Sequence, residues 1–338
     1  MKYLIPGLLA VGLIIAILAG MNGAQTSGSA KNSSPDPTNP SVSLTPTAET
    51  AGQAGPTPTA EPSTTPSTTP GVTAEASATP IPSSTHTPGA PTATATLAAT
   101  PTPDPAAWKQ WPVIPAIPQT MRAIYERGLA QGTIDPKAFS VLGDCQSESG
   151  DFLGVYENNP ELVSTLPEGL QETVTNFDGS FDRYNPAAKS GSSSGSLLYA
   201  AWNDNKEGKC LYGETPLECE LRVHRPSIVF IHTGTHYETQ ERNWYYMTII
   251  IDTILARGAV PVLVTKADNL ELDEHINKNI TKLAAQYGLP VWNFWASVQD
   301  LPDQGLMPNK MHLTAEAHKV HRLGALEMLD TVWRAVRN

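Results

Sequence analysis

The sequence predicts a three-layer α/β/α domain built on a parallel sheet, preceded by an export segment and a long linker. Three observations predict this: the uneven distribution of proline and aromatic residues, continuous apolar strands, and helical segments between those strands. Strands that are apolar on both faces belong to sheets covered by helices on both sides, which is typical of parallel α/β folds.

The first 24 residues predict an export signal. Lys2 precedes a mostly apolar run over 3–20, close to the roughly 20 residues that span a bilayer. Cleavage after Asn22-Gly23-Ala24 would release a secreted protein, whereas retention would leave a signal anchor in the membrane. We favour the retained anchor, and both outcomes place the rest of the chain outside the cytoplasm.

Residues 25–107 predict a disordered stalk. Sixteen of the 30 prolines lie in this stretch, with 31 Ser or Thr residues and no aromatic residue. Such a composition cannot bury enough apolar surface to fold, and its prolines favour an extended chain. The folded head is therefore expected over 108–338, which contains all seven Trp residues.

The charge of the head excludes one class of partner. Residues 108–338 carry 20 basic and 28 acidic side chains and contain no basic run. The head therefore lacks the cationic excess that neutralises phosphates, and we predict no nucleic-acid partner. We also expect a monomeric head. No metal site is expected, because His318 and His321 have no third ligand at suitable spacing.

Strand and helix patterns alternate along the head. Strands are predicted at 139–142, 227–231, 260–264 and 290–294, and helices at 243–257, 274–287 and 315–337. Ligands of parallel sheets bind at the carboxyl ends of strands. The functional residues are therefore expected in the loops 143–149, 189–196, 232–238 and 266–270, with Asp268 at the rim of the cleft.

Short motifs in these loops carry a family resemblance. They are Gly143-Asp144, Ser190-Gly191, Gly234-Thr235 and, before the last helix, Asn309 followed by His312-Leu313-Thr314. Their order and placement over 139–338 resemble the SGNH (GDSL-type) hydrolases. The resemblance implies a flavodoxin-like fold of about five parallel strands and ester hydrolysis through an acyl-enzyme, without a cofactor.

The chain departs from the family pattern at three positions. Cys145 stands where the family has its nucleophilic Ser, His236 where it has the oxyanion Asn, and Asn309 where it has the Asp of Asp-x-x-His. Gly191, an oxyanion donor in the family, and His312, the base, match the pattern. Asp144, which caps or orients the nucleophile turn, and Gly234 are secondary site candidates.

These departures allow two interpretations. A Cys–His–Asn set is chemically competent, because a thiolate attacks, an imidazolium donates a proton and an amide orients the ring. Alternatively, the site has lost hydrolysis and the domain binds a glycan or acyl group, or serves as a display module on its stalk. Ser147 is a further nucleophile candidate, although in such a turn its side chain is expected to point elsewhere.

The three cysteines bear on this choice. Cys210 and Cys219 flank a turn-rich segment, which suits a local disulfide in an exported protein. Cys145 is then unpaired, either as a small buried thiol or as the nucleophile. Together with the export segment, the family resemblance implies an extracytoplasmic ester hydrolase acting on a small ester or an acylated glycan, for instance O-acetyl groups on polysaccharide.

Overall fold

A four-stranded parallel sheet forms the centre of the described domain. The computed structural model describes residues 103–338, so the export segment and nearly all of the stalk lie outside the described residues. The strands lie side by side in the order β1 (Asp135–Gly143), β2 (Pro226–His232), β3 (Val260–Val264) and β4 (Val291–Trp292). Every residue of β2 and β3 is buried, which requires cover on both faces of the sheet.

Two groups of helices supply that cover, so the predicted layered α/β fold is confirmed. Helices α1, α4 and α9 pack together, α6 packs with α7, and each group contacts the strands. The helices are α1 (Thr120–Gln131), α2 (Val155–Asn158), α3 (Pro160–Ser164), α4 (Glu168–Asn176), α5 (Pro216–Val223), α6 (Gln240–Ala256), α7 (His275–Tyr287), α8 (Phe294–Ser297) and α9 (Ala315–Arg337). Within residues 103–338, no helix is both long enough and apolar enough to cross a membrane.

The prediction of five strands is wrong for the described residues. At the free edge of β1 the chain forms a single parallel bridge, between Gly143 and Ala188, with the Gly143 amide 2.9 Å from the Ala187 carbonyl. In this parallel register the Ala187 amide would form the next rung with β1, but it donates instead to Asn185 Oδ1 at 2.8 Å. The expected fifth strand is therefore reduced to one rung.

Side chains replace the missing strand along the rest of this edge. The Phe139 amide donates to Ser180 Oγ at 3.4 Å, and Asn185 Nδ2 donates to the Val141 carbonyl at 2.7 Å. His224 Nε2 lies 3.0 Å from the Phe139 carbonyl oxygen. The Phe139 amide and carbonyl and the Val141 carbonyl are thus partnered without a neighbouring strand, which leaves space beside β1.

Strand β4 is shorter than the predicted 290–294 because Asn293 starts a helix. Its Oδ1 accepts from the Ala296 amide at 3.4 Å as the cap of α8. Its Nδ2 donates to the carbonyls of Trp108 and Trp111, at 3.0 and 3.1 Å. One amide side chain therefore ends the strand and fixes the first residues of the domain to it.

The predicted disulfide between Cys210 and Cys219 is confirmed. It joins the loop before α5 to the middle of that helix, whose start is set by a reciprocal capping box between Thr215 and Glu218. The described cysteines provide one free thiol, Cys145.

The backbone of Gly258 lies against that of Gly128, so a side chain at Gly258 is expected to destabilise the fold. A Cβ there would lie 2.5 Å from the Gly128 amide nitrogen, and the residue is left-handed (φ +74°). Gly288 is also left-handed (φ +66°), but in the described part of the chain no atom lies within 4 Å of the position that its Cβ would take. We expect Gly288→Ala to lower the free energy of unfolding by about 1–2 kcal/mol and Gly258→Ala by about 3 kcal/mol or more. Chemical denaturation of both variants measures the difference, and equal losses would contradict the steric account.

Candidate active site

The candidate nucleophile lies on a tight turn directly after β1. Asp144 caps a short 3-10 helix, Cys145–Ser147, by accepting from the Gln146 amide at 3.1 Å. A side chain at Gly143 would collide with Ser147, so only glycine allows the strand to enter this turn. The partly exposed Cys145 thiol is thereby held at the carboxyl edge of the sheet.

Asp144 also joins the first two strand-end loops. Its second oxygen accepts from the Thr235 amide at 3.1 Å, in the loop that follows β2. Both Asp144 and Thr235 are buried. The predicted orienting role of Asp144 thus has a physical basis, because one buried carboxylate positions both the Cys145 turn and the Gly234-Thr235 backbone.

Two further side chains join the Cys145 turn to its neighbours. Gln146 Nε2 donates to the Met311 carbonyl at 2.9 Å, which holds the loop that carries His312. Glu148 Oε1 accepts from the Ser190 amide at 2.6 Å, one residue before Gly191. No local sequence pattern predicts either contact, because each joins positions distant in the chain.

Glu238 makes the fourth connection. It joins the loop 189–196, which we call the Ser-rich loop, to the loop that follows β2. Its carboxylate accepts from the Gly195 amide at 2.9 Å and from the Ser194 hydroxyl. Asn243 Nδ2 donates to the same carboxylate at 3.2 Å. The only sequence signal for this role is its position, in the loop 232–238 at a strand end.

Asn309 and His312 are in direct contact. Asn309 Oδ1 accepts from the amides of Met311 and His312, both at 3.1 Å, and this fixes the orientation of the side-chain amide. Asn309 Nδ2 therefore faces His312 Nδ1, at 2.7 Å. Because Nδ2 donates, Nδ1 accepts, and the neutral ring carries its hydrogen on Nε2. An aspartate would impose the opposite tautomer.

Cys145 is a protonated thiol at neutral pH. Its partial burial and then the negative charge of Asp144 raise the pKa of the thiol to about 11. Within residues 103–338, no hydrogen bond joins Cys145 Sγ to the ring of His312. At neutral pH the thiolate fraction is on the order of one in ten thousand.

The two candidate oxyanion donors lie in different surroundings. Gly191 has a left-handed backbone (φ +85°) and is partly buried. His236 is partly exposed and makes no hydrogen bond in the described part of the chain. Gly234 has φ +126°, and a Cβ there would lie 2.7 Å from Ile276 Cγ2, so this position also requires glycine.

Ser147 and Asp268 are both buried away from solvent. Ser147 Oγ lies 3.1 Å from His232 Nδ1 and donates to the His232 carbonyl at 3.2 Å, beneath the Cys145 turn. The sequence predicts Asp268 at the rim of the cleft, but its Oδ1 lies 2.7 Å from the Nζ atom of the buried Lys266. The same Nζ atom also pairs with Glu271. Ion pairing with the buried lysine thus draws Asp268 into the core, which corrects that expectation.

A metal-ligand pattern near the disulfide does not form a metal site. Within residues 103–338, Cys210, Glu214 and Cys219 are the one group of possible ligands that lie within 4.8 Å of one another. The two sulfur atoms are bonded to each other, so they are not available as thiolate ligands.

Comparison with known proteins gives similarity of fold only. No known protein family and no curated protein matches the chain. Similar solved structures include the esterase EstA from Pseudoalteromonas sp. (12% identity, TM-score 0.40, 57% of this chain and 96% of that chain). Others are a lipolytic protein of the G-D-S-L family from Veillonella parvula (12%, 0.35, 56% and 96%) and a lipase/acylhydrolase from Enterococcus faecalis (16%, 0.38, 58% and 96%).

The raised pKa of Cys145 predicts how fast iodoacetamide alkylates the intact protein. From about pH 7 to about pH 10, the rate should rise about tenfold per pH unit, because the thiolate fraction rises by that factor. Mass spectrometry of the alkylated peptide gives the rate, and Cys145→Ala is the blank. A rate that levels off near neutral pH would mean that the thiol is already activated.

Proposed function

We propose that the described domain is an SGNH-type ester hydrolase that uses Cys145 as its nucleophile. The observation that supports this best is the convergence of four loops at one edge of the sheet. Their polar connections through Asp144, Gln146, Glu148 and Glu238 hold together the loops that carry Cys145, Gly191, His236 and the Asn309–His312 pair.

The proposed reaction has two steps. The Cys145 sulfur attacks the ester carbonyl, its proton passes to His312, and the alcohol leaves with that proton. The backbone of Gly191 and the ring of His236 donate to the oxyanion during attack. Water then hydrolyses the thioester, which releases the acid and restores the thiol. This chemistry uses no cofactor.

Two features of the site make this reaction slow at neutral pH. The thiol has a pKa of about 11, and Asn309 leaves the hydrogen of the neutral His312 ring on Nε2. Proton transfer from Cys145 then requires the less stable tautomer or an external base. Turnover should therefore increase toward alkaline pH as the thiolate fraction grows.

The substrate in this proposal is an O-acetylated polysaccharide outside the cytoplasm. Location is supported by the apolar run at 3–20 and by the linker rich in Pro, Ser and Thr. Protease treatment of intact cells should remove the head if it is displayed outside, and should leave it intact if it is cytoplasmic.

A second candidate function is binding of an acylated glycan without turnover. The protonated thiol and the Nε2–H tautomer favour it, because both present hydrogen-bond donors to a carbonyl oxygen and neither takes a proton from a nucleophile. A domain of this kind would act as a recognition or display module on its stalk.

Substitution of Asn309 distinguishes the two functions. Asn309→Asp retains the acceptor for the Met311 and His312 amides but accepts from Nδ1–H, which leaves the Nε2 lone pair free as a base. We expect kcat/KM of the full chain for p-nitrophenyl acetate and acetylated xylan to rise at least about tenfold at neutral pH. Asn309→Ala is the matched control and should show no such gain.

The same assay includes Cys145→Ala and His312→Ala. Loss of the wild-type and the Asn309→Asp turnover in both variants supports the hydrolase. Absence of turnover in the wild type and in Asn309→Asp, with acylated glycan still bound, would overturn the hydrolase and support the binding function.

A further inference from the structure

A cavity of about 320 Å³ lies beside β1, where the described residues form a single bridge in place of a fifth strand. Its apolar floor includes Phe139 and Val141, the strand residues whose backbones form hydrogen bonds with the side chains of Ser180 and Asn185. Its lining also includes Ser147 and Glu148, two and three positions after Cys145, and Lys189, two positions before Gly191. The cavity therefore adjoins the candidate active site without containing its nucleophile.

The mouth of this cavity carries two lysines that share a single carboxylate. Lys189 Nζ and Lys206 Nζ each lie 3.6 Å from the same Asp204 oxygen. Burial alone would raise the pKa of Asp204, but the Tyr184 hydroxyl and the two lysines lower it, so Asp204 is ionised at neutral pH. Among residues 103–338, the two ammonium groups at the mouth share this one carboxylate, so one positive charge is left over there.

The other charges that line the cavity do not remove this excess at its mouth. Arg183 is paired with the buried Glu220. Glu148 is the remaining acid, and its Oε1 is held by the Ser190 amide. The two lysines share one carboxylate, whereas the Glu148 carboxylate is engaged by a backbone amide, so an anionic group would be attracted to the lysines.

Aromatic rings flank the same lysines. Lys189 Nζ lies 5.6 Å from the centre of the Trp202 ring, and Lys206 Nζ lies 5.8 Å from that of Tyr184. Trp202 is 40% exposed, so its ring offers a flat apolar surface next to a cation. Of these two rings Tyr184 lines the cavity itself, and Trp202 lies beside it next to Lys189. An apolar floor, a nearby aromatic ring and a few directed polar groups fit a sugar ring, which has both apolar faces and polar edges.

We propose that this cavity binds a negatively charged sugar unit of the substrate, with its anionic group at Lys189 and Lys206. The inference rests on the proposed function, because it takes a glycan to be the substrate. It adds that the glycan is acidic and that one of its units sits beside, rather than over, Cys145. The lysines would be specificity-determining residues that do not touch the reacting atoms.

Binding to the full-length Cys145→Ala variant tests this inference without requiring turnover. The probes are a galacturonate trisaccharide, a sugar phosphate and neutral xylotriose, measured by calorimetry. At least one acidic probe should bind about tenfold or more tightly than xylotriose, and the preference should weaken with added salt. The stronger acidic probe identifies the anion as a carboxylate or a phosphate.

Variants at the mouth give opposite expected effects. The Lys189→Gln/Lys206→Gln pair should abolish the acidic preference, whereas Asp204→Asn should strengthen it by releasing both lysines. Lys282→Gln, an exposed lysine on α7, is the matched control and should leave the preference unchanged. Equal affinity for acidic and neutral probes, or a preference unaffected by Asp204→Asn, would overturn the inference.

The two proposals can fail separately. An acidic preference in Cys145→Ala, with no ester turnover in the wild type, would support the cavity and contradict the hydrolase. Turnover of acetylated xylan without a preference for acidic probes would support the hydrolase and contradict the cavity proposal.

Discussion

The buried carboxylate of Asp144 is the interaction on which the candidate site depends. It accepts from the Gln146 amide of the Cys145 turn and from the Thr235 amide of the next loop. Loops at the carboxyl ends of parallel strands expose backbone N–H groups that need acceptors when they are buried. A carboxylate supplies two acceptors with fixed geometry and therefore positions two loops at once. Glu238 does the same for the Ser-rich loop.

The negative charge of Asp144 also disfavours the Cys145 thiolate, which is the form that attacks an ester. After burial, the negative charge of Asp144 is the main reason that Cys145 holds its proton. A serine nucleophile would be affected less, because it attacks without forming a free anion first, while a base removes its proton. Cysteine depends on the thiolate, so this site combines a well-ordered turn with a poorly activated nucleophile. Asn309 adds no further negative charge but reverses the tautomer of His312.

Much of the fold follows from local sequence patterns. Strand β3 has the predicted bounds, and the final helix and the disulfide also agree with prediction, because each depends on apolar periodicity or on short cysteine spacing. The errors arise where a single side chain overrides the pattern: Asn293 ends β4 early, and Lys266 draws Asp268 inward. For the site, the motifs indicate which loops matter, and the Asn309–His312 spacing of three allows direct contact. The roles of Gln146 and Glu238 depend on distances between loops that no local pattern contains.

Trapping of the acyl-enzyme tests the central claim most directly, namely that these loops form one site with Cys145 as nucleophile. The wild-type chain would be mixed briefly with p-nitrophenyl acetate at alkaline pH, quenched in acid and analysed by intact and peptide mass spectrometry. The account predicts one acetyl group per chain, located on Cys145, that accumulates further in His312→Ala because water attack lacks its base. An acetyl group on another residue, or its absence from Cys145 at every pH, would contradict the account.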